Sequence, residues 1–292
     1  MKTSDSLFKD FLPKRNENTS KFDFGRAYLI GGSKEYGGAP LLSLSSLMAL
    51  RLGAGFSTLF VPEPLYSIYI GREPQVILSL FPSKNGELVY DEEFLSKMIL
   101  KPTSIAIGMG ITQFEETAKV LEFLLRNYKG SLIIDAGALS ALSLLDENVF
   151  RNKTCDVVLT PHTGEFSRLI NVSREEIEKD KMKYSLIYAK RNDITLILKG
   201  HQSIITNGTE TYINETGNTG LAKAGSGDLL SGILAGIMAQ DIKESTTKKA
   251  AFCSFLLGKC ADYLLKEESD YSIISSDIVR VLPKILKNYV KD

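Results

Sequence analysis

Apolar residues in this chain fall into short continuous runs separated by stretches with helical spacing. Ala27–Ile30 reads as a strand ending at Gly31-Gly32, Leu41–Leu52 as a helix after the loop Ser33–Pro40, and Phe56–Val61 as the next strand. Strand, glycine loop, helix and strand make a βαβ unit. The alternation continues with strands at Gln75–Leu80, Ser104–Ile107, Leu132–Ile134, Asp156–Leu159 and Ile194–Leu198. Between them, helical periodicity covers Asp91–Leu100, Glu115–Tyr128, Ala138–Leu145 and Gly164–Ile170. Ser173–Arg191 reads as one long charged helix, with Ser173 and Glu176 spaced as a capping box. Ser203–Thr206 and Glu210–Ile213 flank Asn207-Gly208, a strong hairpin signal. A helix from about Gly227 to Gln240 and two more, Ser245–Lys266 and Ser275–Asn288, close the chain. Residues 1–24 are polar and mixed, and predict an arm with a short leading helix around Ser6–Leu12.

Short apolar strands alternating with helices imply an α/β fold with a mostly parallel sheet covered on both faces. In such sheets ligands bind at the carboxyl ends of the strands. The unusual residues cluster there: Gly31-Gly32, Gly108 and Gly110, Asp135, Thr160-Pro161-His162 and Lys199-Gly200. No repeat, low-complexity tract or linker interrupts the pattern, so a single domain over residues 1–292 is expected.

Composition narrows the function. The 35 basic and 35 acidic residues give a formal net charge of zero, which argues against a nucleic-acid or anionic-membrane surface. The three cysteines, Cys155, Cys253 and Cys260, are too few and too scattered for a disulfide framework or a zinc site. No apolar stretch approaches the roughly 18 residues that span a bilayer, and the N-terminus lacks the layout of a signal peptide. A reducing, cytoplasmic setting is expected.

The densest chemistry lies in Asn218–Gln240, NTGLAKAGSGDLLSGILAGIMAQ. Gly225, Ser226 and Gly227 let backbone N–H groups approach a ligand, and the helix that follows aims its free N–H groups and positive dipole end at the same point. Asp228 sits where an anion would bind. It is either an N-terminal cap or a general base for a hydroxyl facing a phosphate. In Thr160–Phe166, TPHTGEF, His162 follows a strand and either stacks on or hydrogen-bonds a ring amide or is a structural histidine, while Glu165 either meets a metal or water near phosphates or starts a helix favourably. Lys199 either supplies a point charge for phosphate, with the amides of Gly200, His201, Gln202 and Ser203 as a second cradle, or is a solvated lysine beside a simple β-turn. Asp135 holds a metal or water, or caps a helix. There is no P-loop spacing and no GxGxxG. Two anion cradles and one candidate base suggest a nucleotide polyphosphate facing a hydroxyl substrate.

Together these motifs resemble a known family. AGSGDLLSGILAGIMAQ resembles the G-[TS]-G-D signature of the ribokinase-like superfamily, a three-layer α/β sandwich. TPHTGEFSRL, LKGHQSII, DAGALSAL, GGAPLLSLSSLMALRLGAG and GNTGLAKAGSGD are together similar to the ADP/ATP-dependent NAD(P)H-hydrate dehydratases, from about Gly25 to Ile285. Many members of that family are fused to an epimerase domain, and this chain resembles the stand-alone form. The resemblance implies dehydration of the S epimer of hydrated NADH or NADPH (NADHX, NADPHX), coupled to hydrolysis of ADP or ATP. It implies Asp228 as the base on the substrate hydroxyl, and a substrate pocket of Ala39, Gly110, His162 and Asp228 that Asn218 to Gly220 approach. It implies a nucleotide site of Lys199, Gly200, His201, Gln202, Ser203, Gly225, Ser226 and Gly227. Mg²⁺ is expected with the nucleotide, held largely by phosphate and water, with no protein side chain assigned to it, and a homotetramer is expected. Two stretches depart from the family pattern. Gly108-Met109-Gly110 lacks the usual intervening proline, and His201-Gln202-Ser203 replaces Ala-His-Thr, which leaves His201 without an assigned side-chain role. The competing reading is a ribokinase-like kinase of a thiazole or pyrimidine vitamin precursor, using the same Asp228.

Overall fold

The computed structural model describes residues 1–36 and 39–291, apart from the side chains of residues 39–43. The chain runs β1 (Arg26–Ile30), α1 (Ala39–Arg51), β2 (Phe56–Val61), α2 (Glu63–Tyr69), β3 (Ile77–Leu80), a small hairpin of β4 (Ser83–Lys84) and β5 (Glu87–Leu88), α3 (Glu92–Met98) and β6 (Ser104–Ile107). It continues through α4 (Phe114–Asn127), β7 (Ser131–Ile134), α5 (Ala136–Leu142), β8 (Asp156–Leu159), α6 (Thr163–Ile170), α7 (Arg174–Lys179), α8 (Lys181–Asn192) and β9 (Thr195–Leu198). The hairpin β10 (Ser203–Thr206) and β11 (Thr211–Asn214) precedes α9 (Ser226–Met238), α10 (Thr246–Leu264) and α11 (Ser275–Leu286).

Nine strands form one sheet in the order β11-β10-β9-β8-β7-β6-β1-β2-β3. All neighbours pair in parallel except β10, which is antiparallel to both β9 and β11. The direction of winding reverses between β1 and β6. From β1 the chain builds outward to β2 and β3, and from β6 it builds the other way. Such a reversal opens a crevice above the carboxyl ends of the two strands, where α/β sheets take ligands. Gly31-Gly32 and Gly108 to Gly110 lie at those ends, and Gly32 N–H donates to the Met109 carbonyl at 2.7 Å.

Strand residues alternate between two cores, as a period of two requires. Ala27 and Leu29 pack with α1, α9, α10 and α11, whereas Tyr28 and Ile30 pack with α3 to α8. α9 is buried along Leu229–Met238, which explains why its sequence is apolar nearly all round. Its small residues allow close crossing with α1. A β-carbon at Gly232 would stand 2.2 Å from the Ser45 carbonyl oxygen, so only glycine fits. The Ser45 hydroxyl in turn donates to the Asp228 carbonyl at 2.7 Å, fixing the first turn of α9.

Three expectations need correction. Residues 6–12 form turns and a bridge from Leu12 to Val290, with no helix. Phe8 is fully buried, and Phe11 stacks on Phe252 at 4.1 Å. The long charged helix is two helices, α7 and α8, broken at Asp180 (φ −154°, ψ 66°), whose carboxylate caps α8 by accepting from Lys183 N–H at 3.0 Å. Ser173 caps α7 through Glu176 N–H, but the Glu176 carboxylate is taken by the Tyr184 hydroxyl, so the box is half formed. The expected hairpin is present, with Gly208 at φ 89°. Gly37 and Gly38 of the expected loop lie outside the described residues.

Candidate functional site

The crevice floor is made of backbone. Gly108 has φ 132°, and a β-carbon there would stand 1.8 Å from the Asp135 carbonyl oxygen. Gly110, at φ 69°, faces Gly32 across the crevice, with 3.4 Å from an added β-carbon to the Gly32 Cα. A side chain would clash at Gly108, and at Gly110 the left-handed backbone disfavours one. Ala39, expected in the same pocket, has its side chain outside the described residues.

At the centre is an ion pair that joins the ends of β7 and β9, the two strands flanking β8. Asp135 follows β7 and is 2% exposed. Its Oδ1 accepts from Lys199 Nζ at 2.8 Å and its Oδ2 from Ser231 Oγ at 2.9 Å. The next residue, Ala136, carries the left-handed φ of 45°, an uncommon strain for a residue with a β-carbon. Asp135 makes no side-chain cap to α5, so the capping alternative is excluded. Lys199 Nζ also lies 4.0 Å from Glu165 Oε2. Burial pulls the Lys199 ammonium toward the neutral form, but Asp135, Glu165 and Asp228 outweigh it and hold the pKa above its ordinary value. Lys199 is therefore a fixed cation.

α9 delivers the second half. Its N-cap is Gly225 in the left-handed conformation, φ 96°. Gly227 is packed so close to the ion pair that a β-carbon would stand 3.4 Å from Lys199 Nζ. No hydrogen bond ties the Asp228 carboxylate among the described residues, so it is not spent on capping. Burial raises its pKa to about 6, reinforced by the like charge of Asp135 and opposed by Lys199. A half-desolvated, unbonded carboxylate beside an anion-attracting helix start is equipped to take a proton.

His162 stands on the adjacent rim. It bridges to Lys199 in the ladder, and the Pro161 carbonyl accepts from Lys199 N–H at 2.8 Å. Its Nδ1 accepts from the N–H groups of Gly164 and Glu165 at 3.0 and 3.2 Å, while Glu165 Oε2 accepts from His162 N–H at 2.8 Å. This is a capping box with histidine in the serine position. With the Nδ1 lone pair engaged, the neutral ring carries its proton on Nε2. Burial lowers the pKa, and Lys199, Arg168 and Arg174 add to the effect against Glu165. The ring thus stays neutral and offers one N–H donor from a side chain that is 54% exposed.

The structure thus gathers Gly110, Asp135, His162, Glu165, Lys199, Gly227 and Asp228 around one crevice. The side chains of residues 201–203 take no part in the ion-pair cluster. Ser203 Oγ closes its own turn with Gly200 N–H and carbonyl at 3.3 and 3.0 Å, Gln202 donates to Glu215 at 3.2 Å, and His201 is exposed. Gln202 sits at φ 58°, which turns the backbone sharply between β9 and β10. Asn218 caps Gly220 N–H at 2.9 Å and donates to Asp262 at 3.3 Å. Ser231 was not singled out from sequence. Its signal was a lone hydroxyl inside an apolar helix, three residues after Asp228. Among the described residues no three His, Cys, Asp or Glu side chains are grouped to hold a metal.

The family described as NAD(P)H-hydrate dehydratase matches residues 27–284. The chain belongs to that family. It is 30% identical over 286 residues to the ADP-dependent (S)-NAD(P)H-hydrate dehydratase of Bacillus subtilis, covering 95% of each chain. It is 32% identical over 280 residues to a bifunctional NAD(P)H-hydrate repair enzyme of Moorella thermoacetica, covering 95% of this chain and 52% of that protein. The chain therefore spans about half the length of the first curated relatives it matches. The ADP/ATP-dependent dehydratase of B. subtilis co-crystallised with ATP and Mg²⁺ superposes with a TM-score of 0.83, at 27% identity, over 98% of this chain and 97% of that one. The sheet between two helical layers is accordingly the ribokinase-like sandwich implied by the G-S-G-D motif. In this dehydratase-family chain Gly225 to Asp228, the G-S-G-D stretch, lies beside the Lys199–Asp135 pair.

Proposed function

We propose that this chain removes the added water from the S epimer of NADHX or NADPHX and consumes ADP or ATP in doing so. The observation that carries the proposal is Asp228, an unbonded carboxylate with pKa near 6 set between the N-terminus of α9 and the Lys199–Asp135 pair. The names of the B. subtilis relatives support the reaction and the nucleotide. The match of the whole chain to dehydratases disfavours the kinase reading.

The chemistry follows from charge and position. Asp228 takes the proton of the substrate 6-hydroxyl as its oxygen attacks the terminal phosphorus of the nucleotide. An oxygen–phosphorus bond forms, and the bond to the leaving nucleotide breaks. The amides of Gly225 to Gly227 and the backbone of Gly200 to Ser203 face the phosphates, and Lys199 neutralises developing charge. The ring-nitrogen electron pair then forms a π bond to C6 as the C6–O bond breaks and phosphate leaves with that bonding pair; loss of the C5 proton to solvent restores the C5=C6 double bond and returns the pair to nitrogen. His162 Nε2–H donates to the ring carboxamide, and Gly110 leaves room for the ring. Mg²⁺ fits here only as a companion of the nucleotide phosphates, because no side-chain cage is built for it among the described residues. The same proposal includes a homotetramer and a cytoplasmic setting. Among the described residues no helix is long and apolar enough to cross a membrane.

Return of the near-ultraviolet absorbance of reduced nicotinamide from hydrated NADH, on adding ADP or ATP, tests the proposal. A flat trace, with phosphorylation of a thiazole or pyrimidine alcohol instead, would replace it by the kinase reading.

A further inference from the structure

A cavity of about 660 Å³ lies between the N-terminal segment, α10 and α11, outside the crevice that holds Asp228. Its size falls in the range of small-molecule sites. Two acidic residues on its wall are already engaged. Asp5 accepts from Lys259 Nζ at 2.9 Å and from the Tyr289 hydroxyl at 2.5 Å. Asp262 accepts from Gly217 N–H at 3.0 Å and from Asn218 Nδ2 at 3.3 Å. The cations are not balanced in the same way. Lys9 and Lys266 line the cavity, and among the described residues neither has a carboxylate partner. Tyr263, Ile285 and Tyr289 add aromatic and aliphatic surface to the lining. Lys284 fixes the Tyr263 ring, with Nζ 4.7 Å above its centroid and a hydrogen bond to its hydroxyl.

Two ammonium groups without carboxylate partners, of which Lys266 Nζ also lies 6.0 Å from the Tyr263 ring centroid, beside an aromatic and aliphatic wall select an anion joined to a flat apolar body. Ammonium groups favour phosphate as point charges, and the ring faces favour an aryl group. We propose that this groove is a second ligand site of the protein, specific for a small phosphate-bearing molecule with a planar apolar portion. The anion sits between Lys9 and Lys266, and the planar part lies against Tyr263 and Ile285. No covalent chemistry is assigned to it. Asp262 places the site one hydrogen bond from Gly217 and Asn218, which lead into the Gly225–Asp228 turn.

Titration calorimetry with phenyl phosphate as the probe tests the site. The expected result is one molecule bound per chain, with inorganic phosphate binding at least about fivefold more weakly. The double variant Lys9→Ala/Lys266→Ala loses about tenfold or more in affinity, as expected for two charge-assisted contacts. Lys9→Arg/Lys266→Arg keeps it, and the melting temperature is unchanged in both. Equal affinity for phosphate and phenyl phosphate overturns the proposal. So does binding that survives Lys9→Ala/Lys266→Ala, including binding displaced by ADP, which would place the probe in the Asp228 crevice. Because the readout is binding, its failure leaves the dehydratase reading untouched.

Discussion

Gly227 touches the Lys199–Asp135 pair. A β-carbon at Gly227 would lie 3.4 Å from Lys199 Nζ and 3.6 Å from Asp135 Oδ2. Those separations are ordinary contacts, so Gly227→Ala folds without a clash, and alanine in a helix stabilises by about 0.5–1 kcal/mol over glycine. The methyl group would nevertheless stand where a phosphate oxygen must approach the helix N-terminus. The expected result is an unchanged or raised melting temperature with nucleotide affinity down about tenfold or more, measured by calorimetry with ADP. Retained affinity would remove the α9 N-terminus as the phosphate site.

Asp228 links activity and stability to pH with opposite signs. Its pKa rises from 3.8 to about 6 on folding, so the folded protein binds this proton more tightly than the unfolded chain. The stability associated with that proton is complete below pH 3.8 and is lost as pH rises toward about 6. On the proposed role of Asp228 as base, activity should run the other way, because a base must be ionised, and turnover should fall as pH drops through about 6. Asp228→Asn should abolish turnover and still bind nucleotide. At neutral pH it should be more stable than the parent by roughly 1–2 kcal/mol, after discounting partial solvation. Chemical denaturation at pH 4 and pH 7 measures this, and a stability gain equal at both values would refute the ionisation argument.

The strands were legible because punctuation and hydrophobicity agreed: Phe56–Val61, Ser104–Ile107, Asp156–Leu159 and Ser203–Thr206 have the same bounds in sequence and structure. The break at Asp180 was hidden because charged residues with helical composition continue on both sides of it, and only the backbone angles reveal the new cap. α2 was hidden by Pro62 and Pro64, which read as loop, although proline is well placed at a helix start. Burial of Phe8 and Phe11 depends on Phe252 and Phe255, more than two hundred residues away. At the site, strand-end positions of Asp135, His162 and Lys199 were readable from local pattern. Their pairing was not, because it depends on β7, β8 and β9 being neighbours in space.

The Lys199–Asp135 pair carries a stability prediction distinct from its charge role. Lys199→Ala leaves the Asp135 carboxylate, 2% exposed, without its cation. Removing one partner of a buried pair costs about 3–5 kcal/mol, and partial exposure of the lysine lowers the expectation to about 2–3 kcal/mol. Adding Asp135→Asn should return more than half of that loss while nucleotide affinity stays low. Urea denaturation of the two single variants and the double variant measures the coupling. Additive losses would show that the two side chains are not paired in solution.

His162 has two separable jobs, one per ring nitrogen. Nδ1 caps α6 through Gly164 and Glu165, and the proposed mechanism assigns the Nε2 proton to the substrate. Asparagine supplies a capping oxygen at nearly the Nδ1 position but has nothing to replace Nε2–H. His162→Asn should therefore retain the melting temperature and raise KM for the hydrate about tenfold, the value of one hydrogen bond, with nucleotide KM unchanged. His162→Ala should show the same KM change and lose about 1 kcal/mol of stability with the cap. Steady-state kinetics on both variants beside thermal denaturation reads the two roles separately. If His162→Asn kept the parent KM, the Nε2 proton would have no partner in the substrate. The ring would then be only the first link in a helix.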